Sequence, residues 1–107
     1  MIPKDKSDEE SVRSLQLATD EDVVKNAIQL LGWLQDINWP VFKGIVNRLS
    51  SLGNELFAPI CDILNGEDSI WKANIVGHLI PSFSYEAQLR YTKQLETLLN
   101  ECSESDF

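Results

Sequence analysis

Apolar residues along this chain recur at spacings of three and four almost everywhere, and sustained two-residue alternation is weak throughout. That period lays side chains along one face of a helix, so the pattern predicts an all-helical protein. Ser7, with Glu10 three residues later, reads as a capping box opening a short first helix that carries Val12 and Leu15. Thr19 before Asp20-Glu21-Asp22 reads as a second N-terminus, with acids on the positive end of the helix dipole. That helix is expected to run to about Leu34. Steps of about 100° per residue bring Val23, Val24, Ala27, Ile28, Leu31 and Leu34 onto one face, with Trp33 to its side.

Asn38-Trp39-Pro40 then restarts the chain. Proline has no N–H to lose in a first turn, but it disfavours helical angles at the residue before it, so Asn38 and Trp39 both stand as N-cap candidates. The third helix is expected to bury Val41, Phe42, Ile45, Val46, Leu49 and Leu52, with Gly53 as the residue that ends it. A fourth helix covers about Glu55 to Asn65 and stops at Gly66, and Pro59 inside it implies a kink or a late start. Asp68 or Ser69 caps a fifth helix from Ile70 to about Ile80, closed by Pro81. Ser84 caps a sixth, with Ala87, Tyr91, Leu95 and Leu98 as its apolar stripe. Residues 101–107 read as a flexible acidic tail, frayed beyond Asn100.

A shift of thirty residues superimposes the second and third helices on the fourth and fifth. Leu30 meets Ile60, Leu34 meets Leu64, Asn38 meets Asp68, Ile45-Val46 meets Ile75-Val76, and Leu49 meets Leu79. The expected architecture is two antiparallel helix pairs stacked side by side. Neither buries its apolar face alone, and the first and last helices cover the ends.

The stretch from Phe57-Ala58-Pro59 through Leu79, with Ile63-Leu64, Asp68, Trp71-Lys72 and Ile75, resembles a HEAT-type repeat. Such repeats carry a proline in the first helix, an aspartate in the turn and a Val-Arg pair opening the second helix. Trp71-Lys72 stands at that pair, whereas the earlier copy has Val41-Phe42 and lacks the cation. More narrowly, Ile2-Pro3-Lys4-Asp5-Lys6, Trp33-Leu34-Gln35-Asp36-Ile37-Asn38-Trp39-Pro40-Val41 and Ile70-Trp71-Lys72 resemble a family of small uncharacterised bacterial proteins. The resemblance implies a bacterial origin and a HEAT-like fold, a short α-solenoid of about six helices in stacked hairpins. It implies no activity.

At 107 residues, 43% of them hydrophobic and 24% charged, the chain is expected to form a single globular domain. Its net charge of −8 and the lack of a basic stripe argue against nucleic-acid binding, which depends on cations neutralising phosphates. Two cysteines, Cys61 among apolar neighbours and Cys102 in the tail, form no disulfide framework or zinc spacing, so both are expected to be free thiols. No leader-like apolar segment and no membrane-length apolar run occur. A cytoplasmic setting without membrane contact is therefore the expectation.

No catalytic carboxylate pair, phosphate loop or nucleophile motif is present, so no enzymatic activity, cofactor or metal is expected. Lys4-Asp5-Lys6 reads either as an arm folded onto the first helix or as a tail. His78, the one histidine, has no orienting carboxylate at helical spacing, so a catalytic role would need one supplied by the fold. Trp33, Trp39 and Trp71 are either hairpin-junction core or binding anchors, and Trp39 and Trp71, each opening a second helix, are expected to lie near one another. The non-core side of those second helices shows Lys43, Gly44, Asn47 and Arg48, then Asn74, Gly77 and His78, a mildly cationic strip suited to an acidic partner segment. The leading expectation is a protein-interaction module, monomeric or weakly dimeric, with an unidentified protein partner. Self-association through an exposed apolar edge is the alternative, and a His78 enzyme the weakest reading.

Overall fold

The computed structural model describes residues 2–105, with side chains described from 2 to 96. Seven α-helices and no strand occur among the described residues. They are α1 (Glu9–Leu17), α2 (Asp20–Lys25), α3 (Ala27–Gly32), α4 (Phe42–Leu49), α5 (Phe57–Leu64), α6 (Ser69–Asn74) and α7 (Tyr85–Ser105). The expected acidic tail, with Cys102 and Leu98, falls on side chains outside the described residues.

Three of the expected helix starts stand where local chemistry puts them. The Thr19 hydroxyl accepts from the Asp22 N–H (3.2 Å), Asp68 Oδ1 from the Trp71 N–H (2.9 Å), and the Ser84 hydroxyl from the Ala87 N–H (3.3 Å). The first start is shifted. Asp8, not Ser7, caps α1, accepting from the Ser11 N–H and hydroxyl and from the Lys4 N–H. A carboxylate offers two charged oxygens where the Ser7 hydroxyl offers one neutral oxygen, and the Ser7 N–H is itself tied to Asp5 Oδ1 (2.9 Å). Neither Asn38 nor Trp39 caps α4. The Asn38 N–H closes a turn on Asp36 Oδ1 (2.8 Å), and the helix begins only at Phe42. Pro59 is the third residue of α5, so the expected late start is what occurs.

Two expected continuous helices are interrupted. The second breaks at Asn26, whose side-chain amide donates to the Asp22 carbonyl (2.8 Å) and competes with the backbone ladder. The buried positions Val23, Ala27, Leu30, Leu31 and Leu34 keep one helical period through it, centred about 115° away from Ile28. Leu30 enters the core, while Ile28, expected to be buried, is 77% exposed. The fifth helix widens after α6 into a π turn (Ile75–Leu79) and then tightens into a 3-10 turn (Ile80–Ser82). Pro81 has no N–H for the Gly77 carbonyl and its ring crowds that carbonyl, which forces the helical register open ahead of it.

Gly53 does not act as a left-handed helix terminator, because no glycine among the described residues has a positive φ. It is buried under α7: a methyl group there would stand 2.8 Å from Ala87 Cβ and 2.9 Å from Phe83 Cγ. The Tyr91 hydroxyl donates to the Gly53 carbonyl at 2.6 Å, and its ring lies against Phe57 and Phe83. Burial pushes the Tyr91 phenol above its ordinary range, so it stays a neutral donor.

The core follows the repeat. Leu30 and Ile60, Leu34 and Leu64, Ile45 and Ile75, and Leu49 and Leu79 are all buried in one cluster. Each such aliphatic side chain contributes about 1.5–3 kcal/mol by leaving water. In space α3 lies against α5, and α4 against the π turn, while α7 packs on the 3-10 turn. Val46 and Val76, the remaining apolar pair, sit at the margin, half-buried and 40% exposed. No helix among the described residues is long and apolar enough to cross a membrane.

Candidate functional site

The strip expected to face a partner is covered by α1 at Gly44 and Arg48, while Lys43, Asn47, Gly77 and His78 stay exposed. Val12 lies directly over Gly44, where any side chain would collide with it, so the glycine permits the close approach of α1 to α4. Gln16 bridges the two, donating to the Gly44 carbonyl (3.0 Å) and accepting from Asn47 Nδ2 (3.2 Å). Arg48 is not a surface cation. Its side chain is 11% exposed, and its guanidinium donates to the Leu15 carbonyl (3.1 Å), the Ala18 carbonyl (3.0 Å) and Asp20 Oδ1 (2.7 Å). The Leu15 carbonyl also accepts from the Ala18 N–H, and the planar five-donor fork adds a second donor there, reaches the Ala18 carbonyl beyond the helix end and pairs with the acid that opens α2. The arm before α1 is docked as well: Pro3 is buried, and the Lys6 carbonyl accepts from the Val41 N–H (3.2 Å).

Asn74 is likewise internal, 9% exposed, with Nδ2 donating to the Leu34 and Gln35 carbonyls in the turn after α3. What remains of the strip is a shallow groove lined by Phe42, Lys43, Val46, Asn47, Ser50, His78 and Ser82. His78 is exposed and edge-on to Phe42 (5.5 Å), and among the described residues no carboxylate pairs with it. The tryptophans divide. Trp33 and Trp39 pack edge-on against each other at 5.5 Å, both half-buried against the core, so Trp39 has Trp33 as its ring partner and not Trp71. Trp71 crosses between the helix pairs, its indole N–H donating to the Leu31 carbonyl at 3.0 Å.

A second groove was invisible in the sequence. Ile28, Leu31, Pro59, Asp62, Ile63, Gly66, Glu67, Asp68 and Trp71 enclose a cavity of about 290 Å³ between α3, α5 and the start of α6. Its floor is apolar. Its polar lining consists of three carboxylates and no cation. The Asp68 carboxylate is engaged as the α6 cap, while among the described residues those of Asp62 and Glu67 have no hydrogen-bond or ion-pair partner. Of the residues expected to bind a partner, only Trp71 belongs to it. The signal that could have exposed Ile28 is the helical period itself, since a stripe centred on Val23, Ala27, Leu30, Leu31 and Leu34 leaves it outside.

Partial burial raises the Cys61 thiol pKa above its ordinary value. Among the described residues no group of three or more His, Cys, Asp or Glu side chains converges as a metal site. Nothing among curated proteins matches the chain. A family model described as a domain of unknown function (DUF5071) matches residues 1–106, and the chain belongs to that family.

Proposed function

We propose that this chain is a non-catalytic protein-interaction module, a short HEAT-like stack of two helix pairs that docks a protein partner in the groove between them. What supports the stacked reading is the placement of α3 on α5 and α4 on the π turn, with four repeat-related apolar pairs in one core. What carries the functional reading is Ile28, a large aliphatic side chain 77% exposed beside Pro59, Ile63 and Trp71. A lone exposed aliphatic residue is ordinary, but one at the mouth of an apolar cavity is the usual form of an interface anchor. The cavity stands at the lower edge of the range that holds small ligands, about 300–1,000 Å³, and suits one or two partner side chains better than a cofactor. A free Cys61 thiol and the resemblance to bacterial proteins support a reducing, cytoplasmic setting in a bacterium.

Capture from the native host with tagged wild type beside Ile28→Ser tests this. A partner held by the wild type and lost with the variant, at unchanged helical content, is the expected result. Identical partners for both proteins would refute the groove as the docking site. Ile70, 67% exposed and adjacent to Trp71 in the chain, favours self-association as the second reading. Light scattering across a concentration series separates the two, because a concentration-independent monomer excludes it.

A further inference from the structure

Resting on the groove as a docking site, we infer that its occupant is a basic amphipathic helix of another protein. Such a helix would seat aliphatic side chains between Ile28, Pro59, Ile63 and Trp71 and place its lysines or arginines against Asp62 and Glu67. Three observations converge on this chemistry.

The first is the polar lining. The donors and acceptors that could read a neutral partner are already committed: the Trp71 indole to the Leu31 carbonyl, and Asp68 to the Trp71 N–H. What the groove still offers are the exposed carboxylates of Asp62 and Glu67, acceptors without a donor in the fold, whose strongest complement is a cationic side chain. The same charges repel a phosphate backbone.

The second is the backbone around the groove. Its walls are α3, α5, the α5–α6 turn and the start of α6, and no strand occurs among the described residues, so no strand edge is there to hold an extended peptide by a hydrogen-bond ladder. A helix, which needs only side-chain anchors one turn apart, fits such a cleft.

The third concerns a second copy of this chain. Its net charge is −8, and several of its cations are occupied within the fold: Arg48 on α1 and Asp20, Lys25 on Glu21, and Arg90 over the Phe57 ring. That excess of acid opposes the seating of a second copy in its own acidic groove, so the occupant is heterologous.

The test is a fluorescence anisotropy titration of the full chain with two labelled 18-residue helical peptides. They share leucines at i, i+4, i+7 and i+11 and differ in carrying either lysine or glutamate at every polar position. The lysine peptide is expected to bind at least tenfold more tightly, with most of that preference lost at 0.5 M salt. Asp62→Lys with Glu67→Lys should reverse the order, whereas Glu10→Lys with Glu96→Lys, an equal charge change away from the groove, should leave it. Equal binding of both peptides, abolished by Ile28→Ser, would overturn the basic partner and leave the docking groove standing. Binding of neither peptide, or binding unaffected by Ile28→Ser, would overturn both. So would a preference shifted as much by the distant pair as by the groove pair.

Discussion

Asn74 donates through Nδ2 to the Leu34 carbonyl at 3.0 Å across forty residues of chain, and to the Gln35 carbonyl at 3.1 Å. One amide from α6 thus closes the chain leaving α3, where carbonyls lack intrahelical partners. Asn74→Ala is expected to cost about 1–3 kcal/mol, the range for leaving buried acceptors unsatisfied. Asn74→Asp should cost more, since an ionised carboxylate has no donor to offer the two carbonyls. Urea unfolding checks both, as a lower midpoint at unchanged m-value.

Arg48 makes a related claim about α1. If its main work is satisfying the Leu15 and Ala18 carbonyls, Arg48→Lys should lose about 1–3 kcal/mol because an ammonium cannot reproduce the fork. Asp20→Ala should lose under about 1 kcal/mol, because the Asp20 side chain is 70% exposed and the pair is screened by solvent. Comparable losses from the two changes would mean that the ion pair, not the carbonyl clamp, holds α1 in place.

Glycines separate by what surrounds them. Gly53→Ala is expected to destabilise by about 1–3 kcal/mol, because the new methyl would strike Ala87 and the Phe83 ring. Gly32→Ala meets nothing within 4 Å and keeps an ordinary φ, so it should stabilise by about 0.5–1 kcal/mol through the less flexible unfolded chain. Opposite shifts of Tm in thermal unfolding are the expected outcome.

Asp8 predicts an acid limb. Hydrogen bonds from the Ser11 hydroxyl first, then from the Lys4 and Ser11 N–H groups, hold its carboxyl down to about 2 from 3.8. A lowered folded pKa means the contribution is complete above the unfolded value and is lost as pH falls from about 4 through about 2. Carboxyl carbon shifts should titrate with a midpoint of about 2, and Asp8→Asn, which still caps, should flatten the stability profile over that window. A midpoint near 3.8 would mean that the cap does not form in solution.

Much of the fold was legible because its determinants are local. Thr19, Asp68 and Ser84 announce their helices through side chains that bond within three residues, and Pro59 and Pro81 mark disruptions by their missing N–H. The interruption at Asn26 was present in the sequence but outweighed by the apolar period around it, which carried the expected helix straight through. The strip on α4 illustrates the opposite case. Gly44, Asn47 and Arg48 read as a free face because nothing in their own neighbourhood says that α1 lies against them. The contacts that put it there, Arg48 with Leu15 and Ala18 and Gln16 with Gly44, join residues about thirty apart.

By itself, then, the sequence determined that this chain is helical, roughly where its helices start, and which apolar positions recur thirty residues apart in a shared core. Those properties arise from torsional preferences, caps and a hydrophobic period, all of which act over one or two helical turns. Only the tertiary structure decided which faces stay open. It hid Arg48 and Asn74 among backbone carbonyls, left Ile28 uncovered and framed it with Pro59, Ile63 and Trp71. Exposure depends on which distant segment covers a face, and that choice is made by the summed burial and hydrogen bonding of all the segments together.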